Sequence, residues 1–424
     1  MAPPLYSIAN WAVVRNWGVN RQLGDLGLPG GVLALRFEGC EEMKLGDNAF
    51  AFAKHYLRLL DLCGCRVHWL PDSIGDLKQL RYLNAPGIKD FEFPWAIITG
   101  LHELRYLSLR GSESLPDLTE AFGRLSKLVY LDLSGCSRLT TLPDSFGMLW
   151  RLQRLDLSDC SGLLYLHDSF GRLGSLSHLQ LSGCSRLDML PFGFWLPRLR
   201  HLVLSRCTWL KQLLETYGRL QRVRHLDLSG CSRLEALPRT LWKLEQVRHL
   251  DLSGCSALGE LSDKLELPEL RHLNLSGCSG LKRLPVSLGS STRLRHLDLS
   301  GLSELKQLPL EYGSMEELEH LNLSGCSLLQ SVPSEWGKKL LHLDMTGCSD
   351  LRYDGLWKEL EPRVKSGLCS TVILPENSFT TTPLEQAASK RRSSSSGSQD
   401  DTLDGIDDAS GSEESGQEIT DDNQ

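Results

Sequence analysis

The sequence predicts a curved α/β solenoid of about 14 repeats, with a parallel sheet on the concave side and short helical or 3-10 returns on the convex side. Three observations carry this expectation. A word of about 24 residues recurs along most of the chain, plainest in residues 223–238 (Val-Arg-His-Leu-Asp-Leu-Ser-Gly-Cys-Ser-Arg-Leu-Glu-Ala-Leu-Pro) and again from 247, 270 and 294. Within it, apolar residues hold relative positions 1, 4, 6, 12 and 15, and positions 4 and 6 alternate with polar ones, the period-two signature of a strand with one buried face. Hydrophobic residues make up 41% of the chain but aromatics only 7%, so the core has to be repeated leucine.

Units open at 32, 57, 80, 104, 128, 152, 176, 199, 223, 247, 270, 294, 318 and 340, the first, third and last being degraded copies. In each, positions 3, 5 and 7 (His225, Asp227 and Ser229 in one copy) face solvent from the strand. Gly230 permits the turn that ends the strand. The return half, as in Pro143-Asp-Ser-Phe-Gly, begins on proline and spaces Phe146 and Leu149 three apart, which suits a short helix or 3-10 turn. A single unit buries too little to offset its ordering entropy, so stability has to come from stacking on neighbours.

Residues 1–31 fit no unit, and Trp11, Val13, Val14 and Trp17 are expected to cover the open end of the stack. The expected division is a flank at 1–31, the solenoid at 32–351, a C-terminal cap at 352–375 that includes Trp357, and an acidic, Ser-rich, disordered tail at 376–424. Within the tail, Lys390-Arg-Arg is a weak import signal, and Ser398, Ser410 and Ser415 each precede an acidic residue by three positions; a solvated tail is the simpler account of both. Residues 389–424 account for the whole formal charge of −7, leaving the body neutral and without net attraction for nucleic acid or a membrane. The first residues lack a secretory pattern and no apolar run is long enough to span a bilayer, so a cytoplasmic chain, with the nucleus as an alternative, is expected.

Eleven of the thirteen cysteines occupy position 9. Metal ligation or a disulfide ladder would require them throughout, yet position 9 is Ile88, Ser112 and Leu302 in three units. A buried spine, each thiol donating weakly to a neighbouring carbonyl, fits better.

Eight of the twelve histidines (His178, His201, His225, His249, His272, His296, His320, His342) hold position 3 of consecutive units. Position 5 of the same units carries mostly Asp or Asn, and Arg200, Arg224, Arg248, Arg271 and Arg295 hold position 2. The candidate protein-binding face is therefore His201, Arg224, His225, Asp227, Arg248, His249, Asp251, Arg271, His272, Arg295, His296, Asp298 and His320. Copying of the repeat explains the columns most simply; the sharper account is a groove whose charge changes near neutral pH, where histidines at strand spacing repel once charged while the Asp column favours the charged form. A straight row offers a metal two ligands at a time, so no metal or other cofactor is expected. Phosphate-binding and kinase motifs are absent from the sequence, and an enzyme is not expected.

The skeleton L-x-x-L-x-L-x-x-C-x-x-L resembles the leucine-rich repeat. The fuller word L-x-x-L-x-L-S-G-C-S-x-L-x-x-L-P-x-x-[FL]-G-x-L, clearest in Leu128 to Leu149, is similar to repeats of plant nucleotide-binding leucine-rich-repeat immune receptors. Residues 49–62 and 70–83 look like the entry to such a domain in grass receptors. The resemblance implies recognition of a pathogen effector or an immune-receptor partner, while the nucleotide-binding domain of that family has no counterpart in the chain. A cytosolic leucine-rich-repeat scaffold for small GTPases or other signalling proteins is the alternative; a ubiquitin-ligase adaptor would need an F-box for which 31 residues are too few. Because the central units barely differ, specificity is expected in the irregular stretches near 80–120 and 199–217.

Overall fold

Positions 3 to 5 of the units are extended because leucine at position 4 needs a buried face while its neighbours, polar in most units, face the other way. The computed structural model describes residues 5–8, 10–15, 31–40, 45–67, 69–89 and 93–375. Expectations for Trp17 and for the tail from 376 fall outside these residues.

The strands are β1 (Leu5–Ile8), β2 (Trp11–Arg15), β3 (Ala34–Glu38), β4 (Leu59–Asp61), β5 (Tyr82–Asn84), β6 (Tyr106–Ser108) and β7 (Tyr130–Asp132). They continue as β8 (Arg154–Asp156), β9 (His178–Gln180), β10 (His201–Val203), β11 (His225–Asp227) and β12 (His249–Asp251). The series ends with β13 (His272–Asn274), β14 (His296–Asp298), β15 (His320–Asn322), β16 (His342–Asp344) and β17 (Thr371–Ile373). From β2 onward each strand pairs in parallel with the next, always like residue to like position, as in Leu226 beside Leu250 and Leu250 beside Leu273. Each expected unit supplies one strand, β3 to β16.

Two strands lie outside the expected units. β1 and β2 form an antiparallel hairpin, and β2 then runs parallel to β3, with Ala12 beside Leu35 and Val14 beside Phe37. Alternation buries Ala12 and Val14 and leaves Trp11 45% exposed, so valine and alanine cover this end rather than the tryptophan. At the other end, α2 (Asp354–Lys365) buries Leu356 and Leu360 and lies against the 3-10 turn Ser334–Lys338, and β17 continues the sheet.

The returns are five-residue 3-10 turns in most units, for example Asp144–Met148 and Asp168–Arg172, and a single α-turn, α1 (Trp95–Ile98), in the unit opening at 80. Glu215 stitches one return to the next, its carboxylate accepting from the amides of Arg239 and Thr240 at 2.9 Å each. Curvature follows from unequal spacing on the two sides. Tyr106 and Tyr130 on the sheet side lie 4.3 Å apart between ring centroids, whereas Phe122 and Phe146, under the returns of the same two units, lie 5.9 Å apart. Phe146–Phe170 and Phe170–Phe194 repeat the wide spacing at 6.0 and 6.1 Å. Units set wider on the return side bend the stack toward its sheet, which becomes the concave face.

The position-9 thiols are buried, and from Cys136 onward they donate to a carbonyl of the preceding unit: Cys231 to Leu204 at 3.2 Å, Cys255 to Leu228 at 3.2 Å, Cys278 to Leu252 at 2.9 Å. Burial pushes the Cys231 thiol up to about 12 and the Cys278 thiol up to about 11, so both remain protonated at neutral pH. This is the spine the sequence predicts.

Candidate binding face

The concave surface is set by a forked backbone ladder. In each unit the amides at positions 2 and 3 both donate to the position-2 carbonyl of the unit before; Arg248 and His249 donate to Arg224 at 2.8 and 3.0 Å. That fixes the Cα of every position-3 residue beside its counterpart, His225 beside His249 and His249 beside His272.

Flat side chains held at strand spacing stack. His249, His272, His296, His320 and His342 form an unbroken run with ring centroids 4.2, 4.1, 4.1 and 4.4 Å apart and planes within 15° of parallel. His178 and His201 stack at 4.4 Å, while His225 is tilted against both of its neighbours. The same column continues N-terminally through Arg154 into Tyr130, Tyr106 and Tyr82, the tyrosines stacked at 4.3 and 4.1 Å. Sequence inspection noted the histidines and passed over the tyrosines, although all occupy position 3.

Of the opposing influences, burial and mutual repulsion set the direction of titration, and the Asp column does not. His178, His201, His249, His272, His296 and His320 are all held below the ordinary imidazole range, first by burial and then by neighbouring histidines or arginines. His178 and His272 are each pushed down to about 4. The position-5 carboxylates do not reverse this because they face the turn beyond the strand. Asp227, Asp251 and Asp298 accept from the amides of Ser229, Ser253 and Ser300 at 2.8, 2.8 and 2.9 Å. Asn274 donates to Asp251 at 3.3 Å and Asn322 to Asp298 at 3.2 Å, so the column links units as well as closing turns. Glu319 acts as a favourable charge toward His296 and His320.

A groove of about 480 Å³ lies over the C-terminal half of this face. His225, His249, Asp251, His272, His296, Asp298 and His320 line it, together with His342, Thr371 and Ile373. The arginines are not part of its lining. Arg271 and Arg295 instead line a separate hollow at the rim with Arg293, Glu316 and Glu317, because position 2 lies just ahead of the strand. His201, Arg224, Asp227 and Arg248 likewise lie outside the groove lining. One nearby carboxylate escaped the sequence reading: Glu319 stands where the preceding five units have arginine, and a single acidic residue in that column was the available signal.

A family model described as Leucine Rich Repeat matches residues 127–149 and 317–338. Among solved structures, the chain is similar to a chain of the Drosophila Toll–Spatzle complex, at 20% identity over 78% of this chain and 49% of that one, with a TM-score of 0.56. It is also similar to the leucine-rich repeat domain of the type III effector XopL, at 28% identity over 49% of this chain and 72% of that one, TM-score 0.44. A leucine-rich repeat protein of Leptospira interrogans matches at 22% identity over 78% of this chain and all of its own, TM-score 0.44. No curated protein sequence matches. Among the described residues, no helix is long and apolar enough to cross a membrane.

Proposed function

We propose that this leucine-rich-repeat solenoid is a non-enzymatic protein-recognition module that takes its partner on the concave face. The observation that carries the reading is the continuous ladder of half-buried, stacked rings opening into one groove. Such a surface offers flat apolar area at low entropic cost, with ring nitrogens as hydrogen-bonding points, the combination that makes aromatic anchors effective at interfaces. The site comprises His225, His249, His272, His296 and His320, with Arg224, Arg248, Arg271 and Arg295 along its rim. The hairpin β1–β2 and the α2–β17 segment act as caps of the stack, whose ends would otherwise expose leucine.

The resemblance of the repeat word to plant nucleotide-binding immune receptors gives the module its setting: recognition of a pathogen effector, or of an immune-receptor partner, inside the cell. The test is affinity capture from plant tissue with the full chain and with a His249→Glu/His272→Glu variant. Recovery of an effector or a nucleotide-binding receptor by the wild type, lost in the variant, supports the reading. Recovery of a GTPase moves the assignment to a signalling scaffold. Capture that is indifferent to the substitutions removes the concave face from it.

A further inference from the structure

We propose that His296, Glu319 and His320 form a binding site for a divalent transition-metal ion of the zinc class. One ligand atom from each, two imidazole nitrogens and a carboxylate oxygen, lies within 4.8 Å of the other two. This corrects the expectation that the histidine row has no third ligand. That expectation counted the position-3 histidines alone and left out the position-2 residue beside them. Position 2 lies ahead of the strand, and the forked ladder holds both residues to one acceptor: Glu319 and His320 donate to the Arg295 carbonyl at 2.9 and 2.8 Å. Leu341 and His342 close the next rung on the Glu319 carbonyl at 2.7 and 3.1 Å. The backbone beneath the three ligands is therefore fixed from both sides.

Two imidazoles and a carboxylate are the donor set of open, three-ligand zinc sites, with bonds of about 2.0–2.2 Å. Donors on one tetrahedral ion stand roughly 3.3 Å apart, so the cluster closes by movements of about 1.5 Å, within reach of rotation in half-buried side chains. Oxygen-seeking ions such as magnesium and calcium are disfavoured by the two nitrogens. The one competitor is Arg295, whose guanidinium lies 3.8 Å from the Glu319 carboxylate; that pair is long and 49% exposed on the arginine side, hence weak and displaceable. In the units opening at 199, 223, 247, 270 and 294 the position-2 residue is arginine, which repels a cation, so the site is confined to one rung of a ladder that otherwise repeats. His296 and His320 both line the groove, so an ion held by them would be reached from it.

The full chain is titrated with Zn²⁺ by calorimetry and with Co²⁺ by absorption, alongside Glu319→Gln and His320→Asn, with circular dichroism checking the fold of each. The expected result is one tight equivalent in the wild type, no thiolate charge-transfer band from Co²⁺, and affinity at least roughly tenfold weaker in either variant. Unchanged affinity in Glu319→Gln overturns the site, and so does a thiolate band, which would place the ion on cysteine. Should a variant lose its fold, Co²⁺ broadening of the histidine NMR signals in the wild type decides the matter. Loss confined to His296 and His320 and their immediate neighbours supports the site; even broadening from His178 to His342 overturns it.

Discussion

From Tyr82 to Tyr130 and from His249 to His342 the concave face is built to one geometry from two chemistries. Ring centroids are 4.1 to 4.3 Å apart in the tyrosine part and 4.1 to 4.4 Å apart in the histidine part. Position 3 thus selects a flat side chain that stacks at strand spacing and leaves its identity open. Burial raises the tyrosines Tyr82 and Tyr130 further from ionisation, whereas the same burial pulls the histidines down from a range that ordinary pH changes reach. Burial thus moves one half of the face further from the ordinary pH range and leaves the titration of the other just below it.

Beneath the surface the halves differ again. Phe122, Phe146, Phe170 and Phe194 form a buried stack under the returns of the N-terminal half. In the C-terminal half the same position holds Leu241, Leu265 and Leu288, then Tyr312 and Trp336, whose polar atoms donate to the carbonyls of Pro285 and Tyr312 at 3.1 and 2.8 Å. Rings under the returns carry stability, while rings on the concave face are free to carry function.

The largest test of that contrast is Phe146→Ala, expected to cost about 3–5 kcal/mol by leaving a cavity between Phe122 and Phe170. His225→Ala, removing a tilted, half-buried ring, is expected to cost below about 1 kcal/mol. Urea denaturation of both variants measures the gap, and equal losses would erase the distinction between the two ring columns.

The turn after the strand separates the regions by a smaller amount. Gly254 sits at a φ of +70°, so Gly254→Ala is expected to cost about 1–2 kcal/mol. Asp159 and Arg206, in the units opening at 152 and 199, hold the left-handed conformation without glycine, at φ of 57° and 60°. Arg206→Gly is therefore expected to raise the unfolding free energy slightly, by a few tenths to about 1 kcal/mol.

The last contrast between the two regions is a pH slope. His178 has a folded value of about 4 against an ordinary 6.5, so between these limits the unfolded chain binds more protons than the folded one. Its contribution to stability is complete above about pH 6.5 and is lost as pH falls toward about 4. His178→Tyr carries the tyrosine chemistry one step into the histidine region and should flatten the thermal midpoint between pH 6.5 and 4 relative to wild type. An unchanged slope would mean that the penalty at this rung is not set by the imidazole.

Much of the architecture was legible because it is periodic. Leucines at positions 1, 4, 6 and 12 repeat at fixed intervals, and a buried residue in each unit needs the same neighbour in the next. The fourteen strands, the 3-10 returns and the cysteine spine follow from that, and Leu302 alone was enough to rule that spine structural. The hairpin at 5–15 and β17 were hidden because each joins the sheet only once, without a repeat to announce it. The candidate face was half legible: the histidine column could be named, but its partners could not.

The sequence by itself determined which residues share a column, because one backbone period places them at equal heights on successive strands. Only the tertiary structure decided what each column does. Asp227 and Asp251 turn to the Ser229 and Ser253 amides instead of the histidines, Arg271 and Arg295 leave the groove for its rim, and Glu319 comes within reach of His296 and His320. The physical reason is that a column is a matter of spacing along the chain, whereas charge, protonation and ligation depend on through-space distances and burial that exist only once neighbouring units stack.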